Sequence, residues 1–118
     1  MSNVLFAVTF DCADAAVLVR FWADFLGRQV AEDPTSEHAV LLPGDGDTSG
    51  PRITFNQVPE PKTVKNRVHL DVISGTFDAE TERLLSLGAQ RIRDVQRDKF
   101  RWTTFADIEG NEFDLIAG

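Results

Sequence analysis

The sequence predicts an α+β domain made of two similar modules, and three observations carry that expectation. Two amphipathic segments each end in Leu-Gly, at Leu26-Gly27 and Leu87-Gly88. Each is preceded by a short strand-like run, VLFAVTF in one half and RVHLDV in the other. Each is followed by two or three further strand-like runs divided by turn residues. A plan used twice in one chain is one supersecondary unit repeated, giving two paired βαβββ modules. Module one is expected over residues 3–58, a Pro-containing linker over 59–65, and module two over 66–118, all within one domain.

The first strand is expected from Val4 to Phe10, where β-branched and aromatic residues concentrate. Asp11 can cap the helix that follows, with Asp14 adding negative charge in its first turn. From Ala13 to Leu26, Val17, Phe21 and Phe25 recur at helical spacing, with Leu18, Trp22 and Leu26 on the adjoining row, so both rows are expected in the core. Gly27 supplies the left-handed residue that ends the helix. EHAVLL and PRITFNQV read as two strands divided by the loop PGDGDTSG, whose Asp45 and Asp47 sit where a lid over a pocket would lie.

In the second half, RVHLDV alternates cleanly over Arg67 to Val72. Val68, Leu70 and Val72 fall on one face, with Arg67, His69 and Asp71 on the other. A helix is expected from Asp78 to Leu87, with Leu84, Leu85 and Leu87 toward the core and Gly88 ending it. AQRIRDV, FRWTTFAD and NEFDLIAG complete the half, the last two joined by a tight turn at IEGN.

With 42% hydrophobic and 26% charged residues over 118 positions, the chain can bury a core. No run of ~18 apolar residues is present, and the start MSNVLFAV lacks a basic stretch and a cleavage site, so a cytoplasmic protein with no membrane partner is expected. A single cysteine, Cys12, excludes an internal disulfide and a Cys-rich zinc site. The formal charge of −7 repels phosphate backbones, which makes nucleic acid a poor partner, and it would favour a cationic ligand. The short basic run KTVKNR reads as a solvated linker.

The pattern D-C-A-D-x-A-x-x-x-x-F-W-A-D-F-L-G, followed by K-N-R-V-H-L-D-V, L-G-A and A-D-x-E-G-N-E-F, resembles the glyoxalase/bleomycin-resistance/dioxygenase superfamily in its glyoxalase-like branch. The resemblance covers essentially the whole chain. It implies the vicinal-oxygen-chelate fold, in which the sheets curl into a half-open form with helices outside and a small-molecule pocket in the hollow. It also implies a homodimer and, in the metal-dependent members, a divalent metal held by the first and last strand of each module.

Carried onto this chain, the second-module ligand positions fall on His69 and Asp114. The first-module positions fall on Ala7, which has no donor atom, and on Asn56, with Gln57 as the alternative if the register slips by one. An amide oxygen suits magnesium or calcium better than zinc, nickel or iron. Asp71 lies two residues from His69 on the same strand face, about 6.6 Å away at Cα.

Two functions follow as alternatives. One is a lyase, isomerase or dioxygenase-type enzyme in which His69 and Asp71 move a proton beside a metal on His69 and Asp114. The other is a metal-free protein that sequesters a small molecule on Asn56, Gln57, Trp102 and Asp114. A third possibility is that His69, Asp71 and Asp114 are solvated polar residues on an open sheet face. Trp102 is expected either on the pocket wall, where an indole stacks on a flat ligand, or in the core. His38 is expected at the surface, unpaired with His69.

Overall fold

The computed structural model describes residues 3–44 and 50–118. The chain divides into two compact units, Met1–Pro61 and Lys62–Gly118. The first contains β1 (Ala7–Cys12), α1 (Ala15–Leu26), β2 (His38–Leu41) and β3 (Arg52–Gln57). The second contains β4 (Leu70–Ser74), α2 (Phe77–Ser86), β5 (Gln90–Arg97), β6 (Phe100–Ala106) and β7 (Glu112–Ala117).

The two units share one topology. In the first, the order is β1-β3-β2, with β1 parallel to β3 and β2 antiparallel to it. In the second, it is β4-β7-β6-β5, with β4 parallel to β7 and the rest antiparallel. The place of β5 is taken in the first unit by an isolated bridge from Val30 to Leu41, beyond β2. The repeated α+β plan is therefore present, with one strand of the first unit reduced to a bridge. No helix of the described residues is long and apolar enough to cross a membrane.

Pairing moves the first strand from its expected position. β1 starts at Ala7 rather than Val4, because Ala7 stands opposite Arg52 and the residue before Arg52 is Pro51, which has no N–H to continue a ladder. At its other end the strand runs on to Cys12, opposite Gln57. Asp11 is therefore still extended and cannot cap the helix. Asp14 is the N-cap, its Oδ1 accepting the Val17 N–H at 3.2 Å. Gly27 closes α1 at φ 66°, and Gly88, just beyond α2, lies at φ 103°, so both glycines occupy the left-handed region.

The buried face of α1 is rotated from the two rows expected. Phe21, Phe25, Leu18 and Trp22 are buried, but Val17 is 54% exposed, because Val19 takes the other flank of the buried face. Trp22 is fully enclosed and meets Phe10, Phe21 and Phe25, and Phe10 in turn meets Phe55 of β3. In α2, Leu84 is buried and Leu87 half-buried, whereas Leu85 faces solvent.

The strand expected over Arg67 to Val72 begins three residues late, at Leu70. β4 pairs with β7 alone, and that ladder opens with Leu70 opposite Phe113, one residue inside the start of β7. Val68, expected against the helix, is 74% exposed as a result.

Candidate functional site

Phe105, Phe113 and Leu115 are buried on the side of the second sheet that α2 covers. Alternation then turns Thr104 and Asp114 to the opposite face. Register extends that row across the sheet: Arg93 stands opposite Thr104, Thr104 opposite Asp114, and Asp114 opposite Asp71. His69, just ahead of β4, joins the row at its Asp71 end.

His69 Nδ1 lies 3.0 Å from Asp71 Oδ1 and 3.9 Å from Asp114 Oδ2. The Thr104 hydroxyl, which is buried, donates to Asp114 Oδ1 at 2.6 Å and fixes that carboxylate. An ionised carboxylate only accepts, so the bond to Asp71 places a proton on Nδ1 and leaves the Nε2 lone pair for other work in the neutral ring. Side-chain exposure falls from 53% at Asp71 and 42% at His69 to 17% at Asp114. His69, Asp71 and Asp114 can each offer one ligand atom with all three inside 4.8 Å of one another. One imidazole nitrogen and two carboxylates form a donor set that fits a divalent cation and leaves positions open for a substrate.

Two of the three, His69 and Asp114, border a cavity of about 240 Å³. His69, Asp114, Thr104 and Trp102 form part of its wall, so the half-buried Trp102 lies on the cavity rather than in the core. Lys65, Arg93 and Arg97 add three cations to the same lining. Glu112 completes the polar wall and is held by Lys62 at 3.2 Å and by the Asn66 N–H at 3.1 Å. Burial pushes the Glu112 carboxyl up, but the Asn66 N–H and the Lys62 ammonium outweigh it and hold the group below its ordinary value.

The first unit uses its open face differently. Asn56 stands in a row with Asp11 and His38. Its Oδ1 is 2.7 Å from His38 Nδ1, so His38 is exposed, as expected, but has a specific partner. Gln57 belongs to the other side of the strand and donates to the Ala13 carbonyl at 2.8 Å, so no slip of register brings it into the place of Asn56. Ala7 pairs with Arg52, four residues along the ladder from the Asp11–Asn56 pair. The two first-module positions are thus roughly 13 Å apart along β1, unlike His69 and Asp114. Cys12 is buried, with its Sγ 3.5 Å from the Asn56 carbonyl. Asp45 and Asp47 lie outside the described residues.

Sequence reasoning gave Thr104 no role. It passed over Arg93 and Arg97, and it read Lys65 as linker. A signal was present in QRIRDVQR, where Arg93, Val95 and Arg97 alternate, but the face they occupy depends on pairing.

A family profile described as a glyoxalase-like domain matches residues 7–116. None of the curated proteins matches this chain. Among solved structures, an E126Q mutant of the fosfomycin resistance protein FosX from Listeria monocytogenes, complexed with Mn(II) and 1S,2S-dihydroxypropylphosphonic acid, is 20% identical with a TM-score of 0.80. That comparison covers 100% of this chain and 92% of the other. FosX from Mesorhizobium loti is 22% identical, TM-score 0.76, covering 100% and 94%. A glyoxalase/bleomycin resistance protein/dioxygenase family enzyme from Burkholderia phytofirmans PsJN is 19% identical, TM-score 0.77, covering 98% of each chain. At these identities the likeness establishes the fold, while the family profile spans nearly the whole chain. The chain belongs to the glyoxalase-like domain family, within the vicinal-oxygen-chelate superfamily.

Proposed function

We propose that this protein is a metal-assisted enzyme acting on a small molecule, of lyase, isomerase or dioxygenase type, with His69, Asp71 and Asp114 at its centre. The observation that carries this reading is the convergence of one imidazole and two carboxylates within 4.8 Å beside a cavity. Such a set suits magnesium, manganese or iron better than the thiolate-seeking metals. The Mn(II) in the similarly folded FosX supports the same choice.

His69, Asp71 and Asp114 would hold the ion, which supplies Lewis-acid polarisation of neighbouring substrate oxygens. The protein's own groups do the rest. Asp71 orients the His69 ring, and in the ion-free protein the Nε2 of that ring can take a proton from a bound ligand. Thr104 holds Asp114 in place. Trp102 offers a flat apolar surface with one N–H donor. Ligation through Nδ1 would require the neutral ring to carry its proton on Nε2 instead.

Mn(II) titration followed by thermal unfolding tests the reading. An ion that binds the folded state alone, present at a hundred times its Kd, stabilises by about 2.7 kcal/mol. A rise in Tm that His69→Ala and Asp114→Ala abolish supports the site, and no rise in the wild type rejects it. The homodimer and the cytoplasmic setting belong to the same proposal. Sedimentation at about twice 13.1 kDa supports the dimer, and the monomer mass rejects it.

A metal-free binding protein is the second reading, favoured by Ala7, which brings no donor, and by the bond that ties His69 to Asp71. It predicts ligand binding that is insensitive to EDTA and weakened by His69→Ala.

A further inference from the structure

β5 and β6 pair with a shift of register between Arg91 and Arg93, leaving Ile92 as the extra residue. Arg91 stands opposite Phe105, on the face covered by α2, and Arg93 stands opposite Thr104, on the open face. Without the extra residue, pairing continued from Arg91 would put Arg93 on the face of Thr103 and Phe105. The bulge therefore turns Arg93, Val95 and Arg97 together toward the row that contains Asp114. Re-aiming side chains is what bulges beside sites do.

Apart from Arg67, the arginines of this unit then divide into two groups. Arg83 meets Glu80, Arg91 meets Asp94, and Arg101 meets Asp78. Arg93, Arg97 and Lys65 line the cavity, and among the described residues none of them has a carboxylate partner. Glu112 is already matched by Lys62, and Asp114 by Thr104 and His69. The Arg97 guanidinium lies 6.0 Å from the centre of the Trp102 ring, so a cation and an aromatic surface adjoin.

From this geometry we infer that Arg93 and Arg97 are the anion-recognition residues of the cavity, and that its ligand is a small organic anion. A carboxylate or phosphonate is held by the guanidinium pair while the body of the molecule rests on Trp102. The whole-chain charge of −7 favours the opposite sign of ligand, but at contact range the local lining decides. The cavity is smaller than the ~300–1,000 Å³ of drug-sized sites, which restricts the ligand to metabolite size. The inference rests on this cavity being the ligand site of the proposed function, and it does not require the ion.

Four probes of similar size and different charge test it by calorimetry: benzoate, phenylphosphonate, neutral benzamide and cationic benzamidine. Each is measured with EDTA-treated and with Mn(II)-loaded protein. At least one anion should bind about tenfold or more tighter than benzamide and benzamidine, and the tighter anion names the headgroup. Arg93→Gln and Arg97→Gln should each remove about that factor for the anion and leave benzamide unchanged. Arg91→Gln, on the same strand but the other face, should have no effect.

Equal or tighter binding of benzamide or benzamidine would overturn the inference, as would no binding of either anion. A loss in Arg91→Gln as large as that in Arg93→Gln would remove the argument from the bulge. Anion binding that needs Mn(II) and ignores Arg93→Gln would assign the anion to the ion instead. His69→Ala separates the two proposals: loss of the Mn(II) response with the arginine effects intact defeats neither, whereas a wild type with no Mn(II) response but intact arginine effects rejects the metal reading alone.

Discussion

In the first unit, α1 buries a continuous band from Ala15 through Leu18, Phe21 and Trp22 to Phe25, whereas α2 in the second unit buries Phe77, Thr81 and Leu84. The Asp14 side chain caps α1, while α2 starts at Thr76 without a side-chain cap, and Thr81 Oγ1 has no hydrogen-bond partner among the described residues. The open faces reverse this ranking. The first presents Asp11, Asn56 and His38, an amide between an acid and an imidazole. The second presents Asp71, Asp114, Thr104 and Arg93, with His69 adjoining. One topology used twice has given a well-packed unit and a chemically armed one. The differences lie in a few residues of one row and in a fourth strand, full length in β5 and reduced to the Val30 bridge in its counterpart.

The comparison breaks first at the packing end. Trp22→Ala should cost about 3–5 kcal/mol, the range for deleting a fully buried large aromatic, and Leu84→Ala about 2–5 kcal/mol. Urea melts of both variants check the order; a smaller loss at Trp22 than at Leu84 would contradict the view that α1 carries the better-packed core. Next comes the chemical end. Asp114→Asn gives the second row the amide of the first and should weaken Mn(II) binding by at least about tenfold, or 1.4 kcal/mol, while Asn56→Ala leaves it unchanged. Equal effects at the two positions would mean that the faces are not chemically distinct.

Thr104→Val should lower stability by about 1 kcal/mol by removing the bond to Asp114, and should weaken Mn(II) binding by about 10–100-fold if that bond positions a ligand. Glu112 gives a smaller, pH-dependent effect. Its folded pKa lies below its ordinary value, so its contribution is present above the unfolded carboxylate pKa and is lost as pH falls through the folded one. Chemical denaturation from pH 7 to pH 3 should show Glu112→Gln less stable than the wild type at the upper end, by up to about 1 kcal/mol as for a partly exposed ion pair, with the gap closing toward acid. Val17→Ala should change stability by less than about 0.5 kcal/mol, since most of that side chain already meets water.

The local chemistry of the chain was enough to place both helices to within two or three residues, since apolar spacing and the Leu-Gly endings are properties of short segments. It was also enough to associate His69 with Asp71, because their separation of two residues puts them on one side of an extended chain wherever that chain lies. Their neighbours were another matter. Asp114 and Thr104 belong to strands distant in sequence from His69, and their meeting depends on β7 lying between β4 and β6.

Composition, spacing and alternation thus determined the duplicated α+β plan, the glycine helix ends and the candidate pair His69 and Asp71. The tertiary structure alone decided where each strand starts, for Pro51 bounds one ladder and the Leu70–Phe113 pair opens another. It also decided that Gln57 is tied to Ala13, that Asn56 meets His38, and that the Ile92 bulge presents Arg93 and Arg97 to the cavity. The physical reason is the range of the forces involved. Periodicity records which side of a segment is apolar, whereas register and strand order are settled by hydrogen bonds to partners far along the chain, and one extra residue there exchanges the two faces.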